Sequence, residues 1–142
     1  MATIADPLTS ALVEARYLES LAQSLQQRVS LVEAAIAEIQ VASSTVGGLS
    51  KEVAGADILV PIGGGSYIRA KVVDVEKLIV GVGADVAVER SAKEATESYQ
   101  ARIDELRKAR SSLEEELERV AANIARARQE LQRLTRKQTE GK

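Results

Sequence analysis

From Ala11 to Ile39 the apolar positions Ala11, Ala15, Leu18, Ala22, Leu25, Val29, Val32, Ile36 and Ile39 recur at alternating steps of four and three, the seam of a coiled-coil heptad. Asp6-Pro7 is a suitable start, because Asp caps free N–H groups and proline fits the first helical position. The spacing therefore predicts a helix over 6–46, running to about Ser44 and stopping near Gly47-Gly48. A second heptad follows from Ser91-Ala-Lys-Glu94, a capping box in which Ser and Glu satisfy each other's backbone donors. Its seam reads Ala92, Thr96, Tyr99, Ile103, Leu106, Arg110, Leu113, Leu117, Val120, Ile124, Ala127, Leu131 and Leu134, interrupted only by Thr96 and Arg110. This predicts a helix over 91–137. At ~1.5 Å per residue the two helices would be roughly 55 to 60 Å and roughly 70 Å long.

Between them, over 57–89, the period changes to two and β-branched residues become frequent. Strands are expected at Asp57–Ile62, Ser66–Val73, Lys77–Val82 and Asp85–Glu89. The run Gly63-Gly64-Gly65 and a tight turn at Gly83-Ala84 join them into two successive β-hairpins. Pro61 cannot donate to a ladder, which sets the first strand at an edge or near its own end. The fold class is thus α+β: one domain over 1–142, a long antiparallel two-helix coiled coil with two consecutive hairpins at one end.

Two short hairpins bury too little apolar surface to stand alone in water, and open edges recruit further strands. The hairpins are therefore expected to be the oligomerisation surface and to assemble into an intersubunit β-barrel. Ile58, Val60 and Ile62 are placed on one face of the first strand, and Ile68, Ala70 and Val72 on one face of the second. Val80, Val82, Val86 and Val88 take the same role in the second hairpin. The alternative is a sheet folded back on its own coiled coil.

Composition narrows the chemistry. The 142 residues include three tyrosines, no Phe, no Trp, no His and no Cys. Imidazole bases, thiol nucleophiles, disulfides and Cys/His metal sites are all excluded, so neither an enzyme nor a cofactor is expected. The net charge of -2 gives no overall bias toward nucleic acid or anionic membranes. The first six residues lack a basic region followed by an apolar run, and nothing is expected to approach the ~20 apolar residues of a span, so a cytoplasmic address is expected. The glycine run has no following Gly-Lys-Ser/Thr, and Gly81-x-Gly83-x-x-Val86 lacks a third glycine, so both read as hairpin glycines.

The stretch Ile58-Leu-Val-Pro-Ile-Gly-Gly-Gly-Ser-Tyr67, followed by Lys77-Leu-Ile-Val-Gly-Val-Gly-Ala-Asp-Val-Ala-Val-Glu89, resembles the two-hairpin segment of the α-class subunits of archaeal prefoldin. The β-class subunits carry one hairpin. The resemblance implies a hexamer of two α-class and four β-class subunits, whose hairpins form a double β-barrel from which the coiled coils project. It also implies ATP-independent holding of non-native polypeptides by apolar surface near the coil tips, and their transfer to a group II chaperonin.

In an antiparallel pair the tip combines Ile4, Leu8 and Leu12 with Ile124, Leu131 and Leu134, the candidate residues for binding unfolded polypeptide. A splayed tip would offer them as an apolar groove worth ~25 cal/mol per Å². Alternatively they are ordinary seam residues paired with one another. The second helix ends in Arg119, Arg126, Arg128, Arg133, Arg136 and Lys137 against Glu130, which suits either an acidic client or chaperonin surface, or a helix C-terminus and solubility. Arg110 on the seam is either a snorkelling side chain or a register device. The rival function is a structural scaffold in which the same hairpins join head to tail into an open filament.

Overall fold

A computed structural model describes residues 6–141. The order of elements is α1 (Pro7–Leu49), β1 (Asp57–Gly63), β2 (Ser66–Lys71), β3 (Lys77–Gly83), β4 (Val86–Ser91) and α2 (Ala92–Glu140). The chain divides into two compact units, one of Met1–Ala34 with Arg107–Lys142, the other of Ala35–Leu106.

In the first unit α1 and α2 pack through Leu25, Val29, Leu113 and Val120, all buried, with Leu18, Leu21, Ala22, Val32, Leu117 and Ile124 closing around them. Arg128 reaches back across the pair to Glu19 at 3.3 Å, as antiparallel helices require. Every seam position expected in α1 is buried or half-buried, so the heptad correctly names the inward face. Arg110 is also half-buried. Its Nε lies 3.9 Å from Glu114 Oε1 with the side chain 36% exposed, so the stem follows the seam while the head leaves it.

By length and composition α1 is apolar enough to cross a bilayer, with a window of mean hydropathy 1.3. This corrects the expectation that nothing in the chain approaches the apolar length of a span. Small residues dilute α1 without charging it, and its charged side chains are confined to Glu14, Arg16, Glu19, Arg28, Glu33 and Glu38.

In the second unit the buried side chains are Ile36, Val46, Ala95 and Ile103. Ala95 corrects the expected seam: it is 1% exposed, whereas Thr96 is exposed. The inward positions Ala95, Tyr99 and Ile103 step by four twice in succession. Such a stutter locally unwinds a coiled coil and keeps a polar hydroxyl out of the interface. That hydroxyl instead donates to the Ala92 carbonyl at 2.8 Å. The capping box forms as expected: the Ser91 N–H donates to Glu94 Oε2 and the Glu94 N–H to Ser91 Oγ, each at 3.1 Å.

Several boundaries differ from the sequence reading. Helix α1 runs through Gly47-Gly48 to Leu49 instead of ending near Ser44, because the Ser50 N–H still reaches the Val46 carbonyl at 2.9 Å and Ser50 Oγ the Gly47 carbonyl at 3.0 Å. Helix α2 continues past Lys137 to Glu140. Strand β2 ends at Lys71, although Val72 still exchanges backbone bonds with Ala56 and Gly55 before an Asp74 side chain caps the Glu76 N–H at 2.8 Å.

Candidate functional site

The two hairpins form separate two-stranded sheets, β1 with β2 and β3 with β4. In the first, Ile58 opposes Ala70, Val60 opposes Ile68 and Gly63 opposes Ser66. In the second, Leu78 opposes Arg90, Val80 opposes Val88 and Gly83 opposes Val86. Each therefore closes with a two-residue loop, Gly64-Gly65 or Ala84-Asp85. All four loop residues have positive φ: 58° and 75° in the first turn, 50° and 58° in the second. That is the geometry matching right-handed strand twist. The expected fourth strand thus loses Asp85, which belongs to the turn, and extends to Ser91. Gly83 ends β3 opposite Val86 rather than forming the turn with Ala84.

A register shift falls between Pro61 and Gly63, and again between Gly81 and Gly83. Ile62 and Val82 are the extra residues of these bulges, so neither continues the regular alternation of its strand. The expectation that Ile62 shares a face with Ile58 and Val60 is corrected accordingly. Ile58, Ala70, Val72, Val80 and Val88 are half-buried, whereas Val60, Ile62, Ile68, Val82 and Val86 are exposed. Leu59, Tyr67 and Ile79, outside the expected set, are barer still, at 64%, 60% and 83%. An ion pair between Lys71 Nζ and Asp57 Oδ1 at 3.0 Å closes the open end of the first hairpin.

Of the expected tip residues, Ile4 lies outside the described residues. Leu8, Leu131 and Leu134 are half-buried in the first unit, and Ile124 packs against its buried cluster. Leu12 is 42% exposed. The structure adds three large apolar side chains that the seam analysis missed, Val13, Tyr17 and Leu31, at 64%, 65% and 70% exposure. They belong to a second four-three series, 13, 17, 20, 24, 27 and 31, set two residues off the seam. Its middle positions Ser20, Ser24 and Gln27 are polar, so no apolar repeat in the sequence marks it. Leu31, with Val32, Leu113, Arg28 and Glu116, lines a shallow groove of about 520 Å³ along the paired helices.

The basic end of α2 is partly neutralised. Arg128 engages Glu19, and Arg133 grips Glu130 through both Nε and Nη2. The hydrogen bond from Arg133 is the main cause that holds the Glu130 carboxyl below its ordinary 4.5; desolvation opposes it, and the nearby charges of Arg133 and Lys137 add to it. Among the described residues no cluster of Asp and Glu could hold a metal ion.

Paired heptad helices joined through two open hairpins define a coiled-coil subunit carrying a separate hairpin module. The Prefoldin subunit family model matches residues 18–137 of this chain. Prefoldin subunit alpha of Pyrococcus horikoshii is 39% identical over 124 residues, covering 84% of this chain and 83% of that protein. Prefoldin subunit alpha of Methanopyrus kandleri is 41% identical over 87 residues, which is 61% of this chain and only 55% of that relative. The chain also superposes on the cryo-EM structure of filamentous PFD from Methanocaldococcus jannaschii, with a TM-score of 0.71, 25% identity, and coverage of 82% of this chain and 94% of that one. The chain belongs to the prefoldin family of chaperone subunits, on the side of its archaeal α class.

Proposed function

We propose that this chain is the α-class component of a cytoplasmic, ATP-independent holdase. Its hairpins assemble with those of four β-class subunits and a second α-class chain into a hexamer built on a double β-barrel. The paired helix ends hold unfolded polypeptides and release them to a group II chaperonin. No cofactor, nucleic acid or membrane takes part, and no reaction is catalysed. The observation that supports this most is the pair of hairpins whose large apolar side chains Leu59, Ile62, Tyr67, Ile68 and Ile79 stay exposed, in a chain so similar to archaeal α subunits.

Capture is by contact alone. Leu8, Leu12, Leu131 and Leu134, with Val13 and Tyr17 beside them, offer apolar surface that stabilises a bound segment by ~25 cal/mol per Å² removed from water. Each helix pair binds weakly, and several acting together raise the avidity.

A second reading is a scaffold whose hairpins join into an open filament, favoured by the likeness to a filamentous assembly. Native mass measurement separates the two. A compact hexamer with an archaeal β-class subunit is the expected result; long polymers of the chain alone would establish the scaffold instead.

A further inference from the structure

The grooves along the paired helices repeat. One, of about 340 Å³, is lined by Glu14 and Leu18 of α1 and by Asn123, Arg126, Ala127 and Glu130 of α2. Fourteen residues on along α1 and fourteen back along α2, the corresponding residues line the groove of about 520 Å³: Arg28 and Val32, with Ala109, Ser112, Leu113 and Glu116. Fourteen residues are two heptads, so the grooves open on the same side of the pair, ~21 Å apart. All of these residues belong to the first unit.

One heptad from each groove, α1 places Leu21, half-buried against the cluster below it. The α1 rim on this side thus reads Glu14, Leu21 and Arg28, and the α2 rim Glu116, Arg119, Asn123 and Arg126. Glu14, Arg28 and Arg126 are exposed and Glu116 is half-buried, and none of the four has an ion-pair partner among the described residues. The signs are ordered. On α1, Glu14 and Arg28 stand seven residues either side of Leu21; on α2, Arg126 and Glu116 stand five either side of Ala121, which is level with Leu21 in the register the grooves define. A half-turn about that level exchanges anion and cation on both rims.

We propose that this face packs on the same face of a second copy of the chain, with the two α1 helices antiparallel about Leu21. A two-fold axis across the helix pair sets Leu21 on Leu21, Glu14 against Arg28 of the other copy, and Arg28 against its Glu14. On α2 the same axis sets Glu116 against Arg126, twice, and Arg119 over Asn123. Four opposite-charge contacts surround one apolar centre. The other two-fold arrangement, with its axis along the helices, lays α1 over the second copy's α2 and leaves Leu21 among Arg119 and Asn123; burying an apolar side chain there desolvates polar groups without giving them partners, which selects against it. The contact lies wholly within the paired helices and does not draw on the hairpins.

The chain has no cysteine, so one substitution supplies one thiol. Full-length Glu14→Cys and Arg28→Cys chains are mixed and treated with a thiol-reactive crosslinker of about 10 Å, the span between packed helix axes. The mixture is expected to give at least about fivefold more linked dimer than either chain alone, since like positions on the two copies lie ~21 Å apart. Leu21→Cys is expected to link to itself, the yield falling at least about threefold when Glu14→Arg is added and recovering when Arg28→Glu accompanies it. Circular dichroism confirms that each variant keeps its helix content; if Leu21→Cys does not, the mixed pair decides alone. Equal linkage in mixed and unmixed chains, linkage of Glu14→Cys to Arg126→Cys in its place, or a Leu21→Cys yield indifferent to the charges would overturn the proposal. So would loss of the links on adding an equal amount of a β-class subunit or an unfolded client, which would give the face to that partner. Hexamer mass and client protection, measured on the same samples, stand or fall separately and report on the proposed function.

Discussion

Glu130 and Arg133 show how far one exposed pair carries. Because the folded Glu130 carboxyl sits below its ordinary 4.5, the contact favours the native helix above that value and is lost as pH falls through the depressed one. Carbon-detected NMR titration should find Glu130 protonating below its ordinary 4.5, with Arg133→Ala raising the midpoint; an unchanged midpoint in the variant would show that Arg133 is not the cause. The turn residues mark a limit of reading single residues. Gly64-Gly65 announces itself, since glycine reaches positive φ without strain. Ala84-Asp85 adopts the same conformation at a cost of roughly 1–2 kcal/mol for alanine, so local preference points to the neighbouring Gly83 and misplaces the turn by one residue. What fixes it is the ladder on either side, a longer-range fact.

Heptads make the helices the most legible elements, because inward positions repeat whatever the intervening residues are. Where the alternation of threes and fours broke, at Thr96, the strict repeat chose the wrong neighbour, and only burial of Ala95 revealed the stutter. The same regularity predicts energetics. Leu25 is 1% exposed and sits in the buried cluster, so Leu25→Ala should lower the stability of the helix pair by about 2–5 kcal/mol. Leu31, six residues on and 70% exposed, should change it by less than about 0.5 kcal/mol when cut to Ala. Thermal unfolding followed by circular dichroism compares the two; equal losses would mean that the outer face of α1 is covered in solution. In the hairpins, alternation identified the strands, but the bulges at Ile62 and Val82 were not legible. A bulge depends on how two strands register, which neither strand encodes by itself.

Across the whole molecule, fold and family were readable from the chain, while the exposed apolar surfaces were only half so. The heptad seam names Leu8, Leu131 and Leu134, which are half-buried, whereas Val13, Tyr17 and Leu31 lie off it and are the more exposed. If capture lies at the helix ends, deleting residues 1–12 together with 131–142 should leave the mass of the assembly built with a β-class subunit unchanged, apart from the residues removed, and abolish most suppression of client aggregation, measured by light scattering. Full protection by the shortened assembly would move capture to other surfaces.

The pairing of α1 with α2 also imposes an order on synthesis. Glu19 waits for Arg128, made 109 residues later, and at ~5–20 residues per second that delay is roughly 5 to 20 s. For that interval an oily helix leaves the ribosome without the amphipathic mate that will shield it. A polypeptide proposed to shelter others is, while nascent, in need of shelter itself.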